Sequence, residues 1–279
     1  MNWDQWIKSA YIRLYKIFKK SYVMREIEIL FCKVLQINLS QLIAYSDTVL
    51  TNEQLVILES LLHRRENHEP IAYLIGRQEF WSLDLHVSPY TFIPRIDTEC
   101  LIEQALQLIV LRHAKILDLG TGSGAISLAL AVEKPTWKIT AVDYCLHALT
   151  IAKKNSILLD LKNINFVYSN WFQSLKFQLY HLIISNPPYV SLEEFLCLDK
   201  EIYYEPRYAI LSENNGLKDL KKICFQANYY LTSGGWLILE HGWNQGKIVR
   251  SFFSRAMFCN IITIQDHNKN DRITLGQWK

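Results

Sequence analysis

From Thr98 onward the chain alternates between two rhythms. Apolar residues at helical spacing fall at about 98–112, 124–132, 146–158, 216–230 and 245–256, and short apolar runs fall at 115–119, 138–142, 164–168, 181–185 and 235–240. Short apolar runs between turn residues read as strands buried on both faces, and their alternation with helices predicts an α/β fold with a doubly wound, mostly parallel sheet. The tail adds Ile261, Ile262 and Ile264, a polar interval from Asp266 to Arg272, and then Ile273-Thr274-Leu275. It predicts a closing strand pair that can return antiparallel.

Upstream the rhythm differs. From Asp4 to about Asn67 every periodic segment reads as helix, including one begun at Thr51, where Gln54 completes a capping-box pattern and Leu55, Leu58, Leu61 and Leu62 share a face. Between Ile71 and Pro94 the period changes to two, with Leu83, Leu85 and Val87 on one side and Asp84 and His86 on the other, which predicts a hairpin. The pattern therefore organises the chain as a small helical domain over 1–70, a linker hairpin and following loop over 71–97, and an α/β domain over 98–279. Lys8, Arg13, Lys16, Lys19 and Lys20 give the first helix the charge of a mitochondrial transit peptide. Ile7, Tyr11, Leu14 and Phe18 at helical spacing, with no apolar h-region or small-residue cleavage site, favour the first helix of a folded domain.

Composition narrows the partners. With 279 residues, 50% apolar and 20% charged, the chain is an ordinary globular protein. A net charge of +3, spread rather than stacked in one segment, is no electrostatic footprint for nucleic acid, so no direct nucleic-acid binding is expected. The six cysteines lie 27 or more positions apart, without a C-x-x-C pair or a Cys/His cluster at zinc spacing. They read as reduced packing residues of a cytoplasmic protein, and no metal is expected. No apolar stretch approaches the roughly 18 residues of a membrane span.

Two segments carry chemistry. The strand Lys115–Leu119 runs into Gly120-Thr121-Gly122-Ser123-Gly124 and then a helix, and glycines there let a ligand approach the backbone. The dinucleotide fingerprint places its third glycine five positions after its first; here it comes at four. Asp143 ends the next strand, where a carboxylate can accept hydrogen bonds from two ribose hydroxyls. With Asp118 before the loop, the set predicts a nucleoside cofactor. Nicotinamide cofactors and S-adenosylmethionine both carry that ribose, and the acid does not choose between them.

The second segment is Asn186-Pro187-Pro188-Tyr189, directly after the apolar run His181–Ser185. Each proline lacks an N–H and fixes φ, so strand pairing stops and a stiff turn with free carbonyls remains. The Asn186 side-chain oxygen can accept one N–H of a planar NH2 group and a freed carbonyl the other, which pins a weak nitrogen nucleophile for attack. Tyr189 can stack on the flat group being held. No metal-ligand cluster and no nucleophile elbow accompany the turn, so direct methyl transfer is the reaction it suits. Trp171, just after strand 164–168, stands at the same sheet edge and either stacks on adenine or belongs to the core.

Taken together, L-D-L-G-T-G-S-G-A-I at 117–126, A-V-D at 141–143, Asn170-Trp171-Phe172, S-N-P-P-Y at 185–189 and L-E-H-G-W-N-Q-G at 239–246 resemble the release factor glutamine methyltransferases. E-P-I-A-Y-L-I-G at 69–76, F-W-S-L-D-L-H-V at 80–87 and I-P-R-I-D-T-E at 93–99 extend the likeness over nearly the whole chain. The resemblance implies a seven-stranded class I methyltransferase sheet and an enzyme that uses S-adenosylmethionine. Its target would be the side-chain amide nitrogen (N5) of the glutamine in the Gly-Gly-Gln motif of class I peptide chain release factors. It carries cofactor binding onto Gly120, Thr121, Gly122, Ser123, Gly124, Asp143, Trp171 and Asn186. Substrate holding falls on Asn186, Pro187, Pro188 and Tyr189, with Asn186, Pro187 and Tyr189 catalytic. A monomer is expected, its helical domain docking the release factor.

Two positions depart from the family pattern: Ile96 stands where a second proline is usual, and Asn170 where an acid is common. Arg95, Thr98 and Asn170 accordingly receive no role from the resemblance. Glu99 either reaches the cofactor or favours a helix N-terminus. Glu205-Pro206 and Glu240-His241-Gly242 read as framework. The alternative activity is amino-methylation of adenine or guanine in nucleic acid, since an exocyclic NH2 poses the same orientation problem; a nicotinamide-dependent oxidoreductase is disfavoured by the glycine spacing and the proline turn.

Overall fold

The structure, a computed structural model, describes all residues 1–279. It divides into two compact units, Met1–Gly76 with Lys200–Tyr204, and Arg77–Asp199 with Glu205–Lys279.

The first unit is helical: α1 (Trp3–Phe18), α2 (Val23–Leu35), α3 (Leu39–Ala44), α4 (Asn52–Glu66) and α5 (Ile71–Ile75). Capping boxes start α1, α3 and α4, the last being the Thr51–Gln54 pair legible in the sequence. Each satisfies two donors that a helix start otherwise leaves open. The basic first helix packs as part of the fold: Trp3, Trp6, Ala10 and Leu14 are buried in one core with Phe31, Leu58 and Leu62. Arg65 is fully buried there and donates to both carboxylate oxygens of Glu26 at 2.8 and 3.1 Å and to Glu201 at 2.9 Å. Residues 71–75 form a helix where alternation had been read from Ile71. Pro70 at the N-cap presets the start, and Gly76, at φ +71°, closes it in the left-handed region.

The second unit opens with the hairpin β1 (Arg77–Phe80) and β2 (Leu83–His86), paired antiparallel. There follow α6 (Glu99–Leu108), β3 (Lys115–Leu119), α7 (Ala125–Glu133), β4 (Lys138–Asp143), α8 (Leu146–Leu158), β5 (Ile164–Tyr168) and β6 (Tyr180–Ser185). The chain continues through short turns, α9 (Leu192–Leu196) and α10 (Glu213–Gly216), into α11 (Lys218–Ala227), β7 (Leu231–Glu240), α12 (Gly246–Arg255), β8 (Cys259–Gln265) and β9 (Asp271–Gln277). The sheet has seven strands in the order β5-β4-β3-β6-β7-β9-β8. β3 to β7 run parallel, and β9 is antiparallel to both β7 and β8, as the tail pattern allowed.

Strand alternation divides the core. Ile116, Leu182, Ile184 and Ile238 pack with Leu101 and Ile102 of α6 and Leu128 of α7. Leu117, Leu119, Ile183 and Leu237 pack with Leu220 and Ile223 of α11 and Val249 and Phe253 of α12. Both faces are covered, which is why these strands read as continuous apolar runs. β7 begins at Leu231, earlier than the 235 expected: Thr232 to Gly235 interrupt its apolar pattern, and its pairing with β6 shifts register between Tyr180–Leu231 and Leu182–Trp236. The helix expected over 216–230 is α11 proper plus a 3-10 turn at Asn228–Tyr230.

Strand order reverses about β3, with β4 on one side and β6 on the other, and such a switch point opens a crevice beyond the strand ends. The register sharpens this: Leu119 pairs with Val142 and Ser185, and Ser185 with Leu239. The next residues, Gly120, Asp143, Asn186 and Glu240, therefore stand side by side at the carboxyl ends of their strands.

Candidate active site

The glycine loop is held before any ligand arrives. Gly120, Gly122 and Gly124 have φ of +75°, +57° and +89°, and Gly120 N and Thr121 N both donate to Val142 O at 2.8 Å. A Cβ on Gly124 would stand 2.9 Å from Leu128 Cδ1 and 3.2 Å from Ala152 Cβ. The third glycine thus serves close packing of α7 against α8. At Gly122 a Cβ would meet nothing within 4 Å, so the space above that residue is open.

Two acids brace the loop. Asp118 is fully buried; its Oδ2 accepts from Thr121 Oγ1 at 2.6 Å and Ser127 Oγ at 2.5 Å, and Oδ1 has no partner. Desolvation pushes its pKa up to about 6. Asp143 accepts from Gly122 N through Oδ2 and from Cys145 N through Oδ1, both at 2.9 Å. Burial raises its pKa too, against the backbone N–H groups of Cys145, Gly122 and Tyr144, and the carboxylate keeps acceptor capacity for a ligand hydroxyl.

One cavity brings the sequence-predicted residues together: Gly120, Thr121, Gly122, Ser123, Asp143, Trp171, Asn186, Pro187, Pro188 and Tyr189 all line it. Gly124 does not, consistent with its place under the helix. Trp171, at φ +54°, is anchored by Nε1 donating to Asp219 Oδ1 at 3.1 Å, and its ring lies 3.5 Å from where a Gly120 Cβ would be. Its indole is a wall of the cavity and packs on the core from the other side.

The proline turn is tied at both ends. Asn186 Nδ2 donates to Thr98 Oγ1 at 3.1 Å, and the Tyr189 hydroxyl donates to Glu240 Oε1 at 3.1 Å. Gln245 Nε2 donates to Tyr189 O at 2.9 Å, and a Cβ on Gly216 would fall 2.0 Å from that same oxygen. Burial drives the Tyr189 phenol far above its ordinary range and the Glu240 carboxyl up to about 7. The sequence assigns Thr98 no role and reads Glu240 as framework; the register puts Glu240, and the bond from Asn186 puts Thr98, beside the turn.

Other positions sort differently. Glu99 lies outside the cavity and accepts from Trp81 N at 2.8 Å, joining the hairpin turn to α6. Glu205 accepts from Ile93 N at 3.0 Å and pairs with Arg95, bracing the loop before α6. Asn170 accepts from Lys222 Nζ at 3.2 Å. Tyr208, unmarked in the sequence, lines the cavity and donates to Tyr90 O at 2.7 Å. Its segment is built of turns too short for a periodic signal.

The arrangement fits an adenosyl group: open backbone at Gly122, an aromatic wall at Trp171, and a buried acid at Asp143 with spare acceptor capacity. The methyltransferase small-domain family model matches residues 96–200, and that of the PrmC N-terminal domain matches residues 19–76. A methyltransferase from Pyrococcus furiosus has a similar structure, with a TM-score of 0.51 at 16% identity over 71% of this chain and 89% of that one. Fold and site define an S-adenosylmethionine-dependent methyltransferase of class I.

Full-length relatives narrow the class. The release factor glutamine methyltransferase of Buchnera aphidicola subsp. Schizaphis graminum is 45% identical over 279 residues, 100% of each chain. That of Salmonella typhimurium is 42% identical over 278 residues, 100% of this chain and 99% of the relative. The chain belongs to the release factor glutamine methyltransferase family.

Proposed function

We propose that this protein transfers a methyl group from S-adenosylmethionine to the N5 amide nitrogen of the glutamine in the Gly-Gly-Gln motif of class I peptide chain release factors. The observation that carries the reading is one cavity lined by both the glycine loop and the Asn186–Tyr189 turn. Gly120 to Ser123, Asp143 and Trp171 hold the cofactor. When bound it supplies a methyl group already activated on a sulfonium.

The protein's part is orientation. An amide nitrogen is a poor nucleophile because its lone pair is delocalised into the carbonyl. Asn186 Oδ1 accepts one hydrogen of the glutamine NH2, and the Pro187 carbonyl accepts the other; Pro188 has no N–H, and Val190 N, which could close a turn onto that carbonyl, donates to Ile210 O at 3.0 Å instead. Both bonds strengthen as positive charge develops on nitrogen, so they favour the transition state over the ground state. The Tyr189 ring closes the cavity over the amide plane. The nitrogen sheds its proton after transfer, when it is far more acidic, and no strong base is needed. The reading includes a monomeric, cytoplasmic enzyme that uses no metal and whose N-terminal helical unit docks the release factor. No helix is long and apolar enough to cross a membrane.

The test is mass spectrometry of the Gly-Gly-Gln peptide after incubation of the protein with S-adenosylmethionine and a release factor, with bulk nucleic acid in a parallel reaction. A gain of one methyl on the glutamine is expected. Label entering only nucleic acid overturns the proposal.

A further inference from the structure

Asp219, in the first turn of α11, lines no part of the cavity, yet its carboxylate is shared between two of the cavity's walls. Oδ1 accepts from Trp171 Nε1 at 3.1 Å, and Oδ2 accepts from the Ser212 hydroxyl at 2.6 Å. Asp219 N returns a bond to Ser212 Oγ at 3.2 Å, so that hydroxyl is engaged as donor and as acceptor. Ser212 N in turn donates to Val190 O at 3.0 Å, one residue beyond the Asn186–Tyr189 turn. One carboxylate thereby connects the indole on the cofactor side to the exit of the proline turn.

Both walls need such a hold. Trp171 has φ +54°, a left-handed conformation that a residue with a bulky side chain keeps only where its surroundings impose it. α11 supplies those surroundings twice, through Asp219 and, three positions on along the same helix face, through Lys222 Nζ donating to Asn170 Oδ1 at 3.2 Å. The exit of the turn is held by residues 210–212, which belong to no helix or strand and meet it through one bridge, Val190 with Leu211. Ser212 is buried, and a buried hydroxyl stripped of its partner is costly. The sheet does not join the two walls. Trp171 follows β5 and Asn186 follows β6, and β4 and β3 lie between those strands.

We propose that Asp219 is a positioning residue that fixes the Trp171 indole and the exit of the proline turn relative to each other. It touches neither cofactor nor substrate. Methyl transfer needs the donor carbon and the amide nitrogen in line and close together, and each is held by a different wall of the cavity. Asp219, with Ser212, supplies the link across the strand ends that sheet pairing leaves out. This rests on the reading of Trp171 as cofactor wall and of the turn as substrate holder.

The full-length wild type and the D219A, D219N, S212A, W171F and W171F/D219A variants are assayed for kcat with a release factor, and their affinity for S-adenosylhomocysteine is measured by calorimetry. D219A loses both bonds and is expected to weaken cofactor binding about threefold and to lower kcat roughly tenfold. S212A cuts the turn side alone, so kcat falls roughly fivefold while affinity stays within about twofold. W171F lacks the indole N–H and weakens binding about threefold; adding D219A weakens it no further, because the bond is already gone. D219N restores kcat to within about twofold of wild type, since its amide oxygen accepts from the indole and its NH2 donates to Ser212 Oγ. Additive losses in the double variant, about ninefold in affinity, overturn the inference, as do equal losses of kcat in D219A and D219N, which would assign the effect to charge rather than to the two bonds. Wild-type kcat in S212A overturns it even where D219A fails to fold. A wild type that leaves the release factor unmethylated overturns the proposed function instead.

Discussion

Gly216 offers a perturbation outside the substrate-holding motif. Its φ is +78°, and an added Cβ would stand 2.0 Å from Tyr189 O, 2.7 Å from Tyr189 C and 2.8 Å from Gln245 Nε2. Ordinary van der Waals contact begins at 3.4 Å, so G216A leaves a shortfall of about 1.4 Å against a backbone carbonyl that cannot swing away as a side chain could. Either the Asn186–Tyr189 turn moves by about that distance or the segment carrying residue 216 does. The left-handed conformation adds roughly 1–2 kcal/mol for a residue with a Cβ. Displacing a reacting group by about 1 Å can cost on the order of 10²-fold in rate, and in the proposed reaction the turn holds the reacting amide.

Expected for G216A is therefore a fall in kcat of on the order of 10²-fold, with cofactor affinity reduced much less because the glycine loop and Asp143 lie on other strands. Initial rates of methyl incorporation into a release factor give kcat and KM, calorimetry with S-adenosylhomocysteine gives the cofactor affinity, and thermal unfolding confirms that the variant is folded. A folded G216A with wild-type kcat refutes the reasoning. So would an equal loss of cofactor affinity, which would place the damage in the whole unit rather than in the turn.

Other substitutions separate the remaining roles. If Trp171 stacks on adenine, W171A should weaken S-adenosylhomocysteine binding by about 1–3 kcal/mol while W171F retains most of it, as read by calorimetry. In the N-terminal unit, R65M strands Glu26 and Glu201 without their buried cation and should lose about 3–5 kcal/mol in denaturant unfolding, less at low pH, where Glu26, its pKa already raised by burial, protonates first. Glu240 titrates at about 7 in the fold against an ordinary 4.5, so the folded state binds the extra proton and wild-type stability falls as pH rises across that window. E240Q lacks this dependence, and its stability relative to wild type should rise by on the order of 3 kcal/mol between pH 4.5 and 8. Facing Glu240 are Asp97 and Thr98 before α6, Cys100 on it, Tyr189, and Arg272 on β9, and of these the Arg272 cation favours the ionised form.

Strands β3, β4 and β6 were legible because burial on both faces leaves a nearly continuous apolar run between turn residues, whereas the partly exposed edge strand β5 was marked by its Ile, Phe, Val and Tyr residues. What stayed hidden has local causes. α5 spans only Ile71–Ile75, shorter than the window in which helical and strand periods can be told apart. The stretch from Val190 to Gly216 is ordered by one bridge, Val190 with Leu211, and by short turns, none of which leaves a periodic trace. At the site, the glycine loop and the proline turn could be read because their chemistry is contiguous in sequence. Thr98 and Glu240 could not, since they reach the turn, at Asn186 and Tyr189 respectively, only through the start of α6 and the pairing of Ser185 with Leu239.

The proline turn itself explains why so much of its support is remote. Two consecutive residues without an N–H offer no donor to the sheet or to nearby carbonyls, and the next donor, Val190 N, is given to Ile210 O, so the turn depends on bonds from residues around it. Outside donors do reach the exit of the turn: Gln245 Nε2 to Tyr189 O at 2.9 Å, and Ser212 N to Val190 O at 3.0 Å. At the entrance, the Ser185 hydroxyl donates to Leu119 O at 2.6 Å, tying the strand end back to β3 and to the glycine loop that follows it. The missing donors make the prolines conspicuous in sequence, and in the proposed reaction they leave an acceptor for a substrate amide. The turn itself is held by distant donors, Gln245 and Ser212, and by the close approach that a Gly at 216 permits.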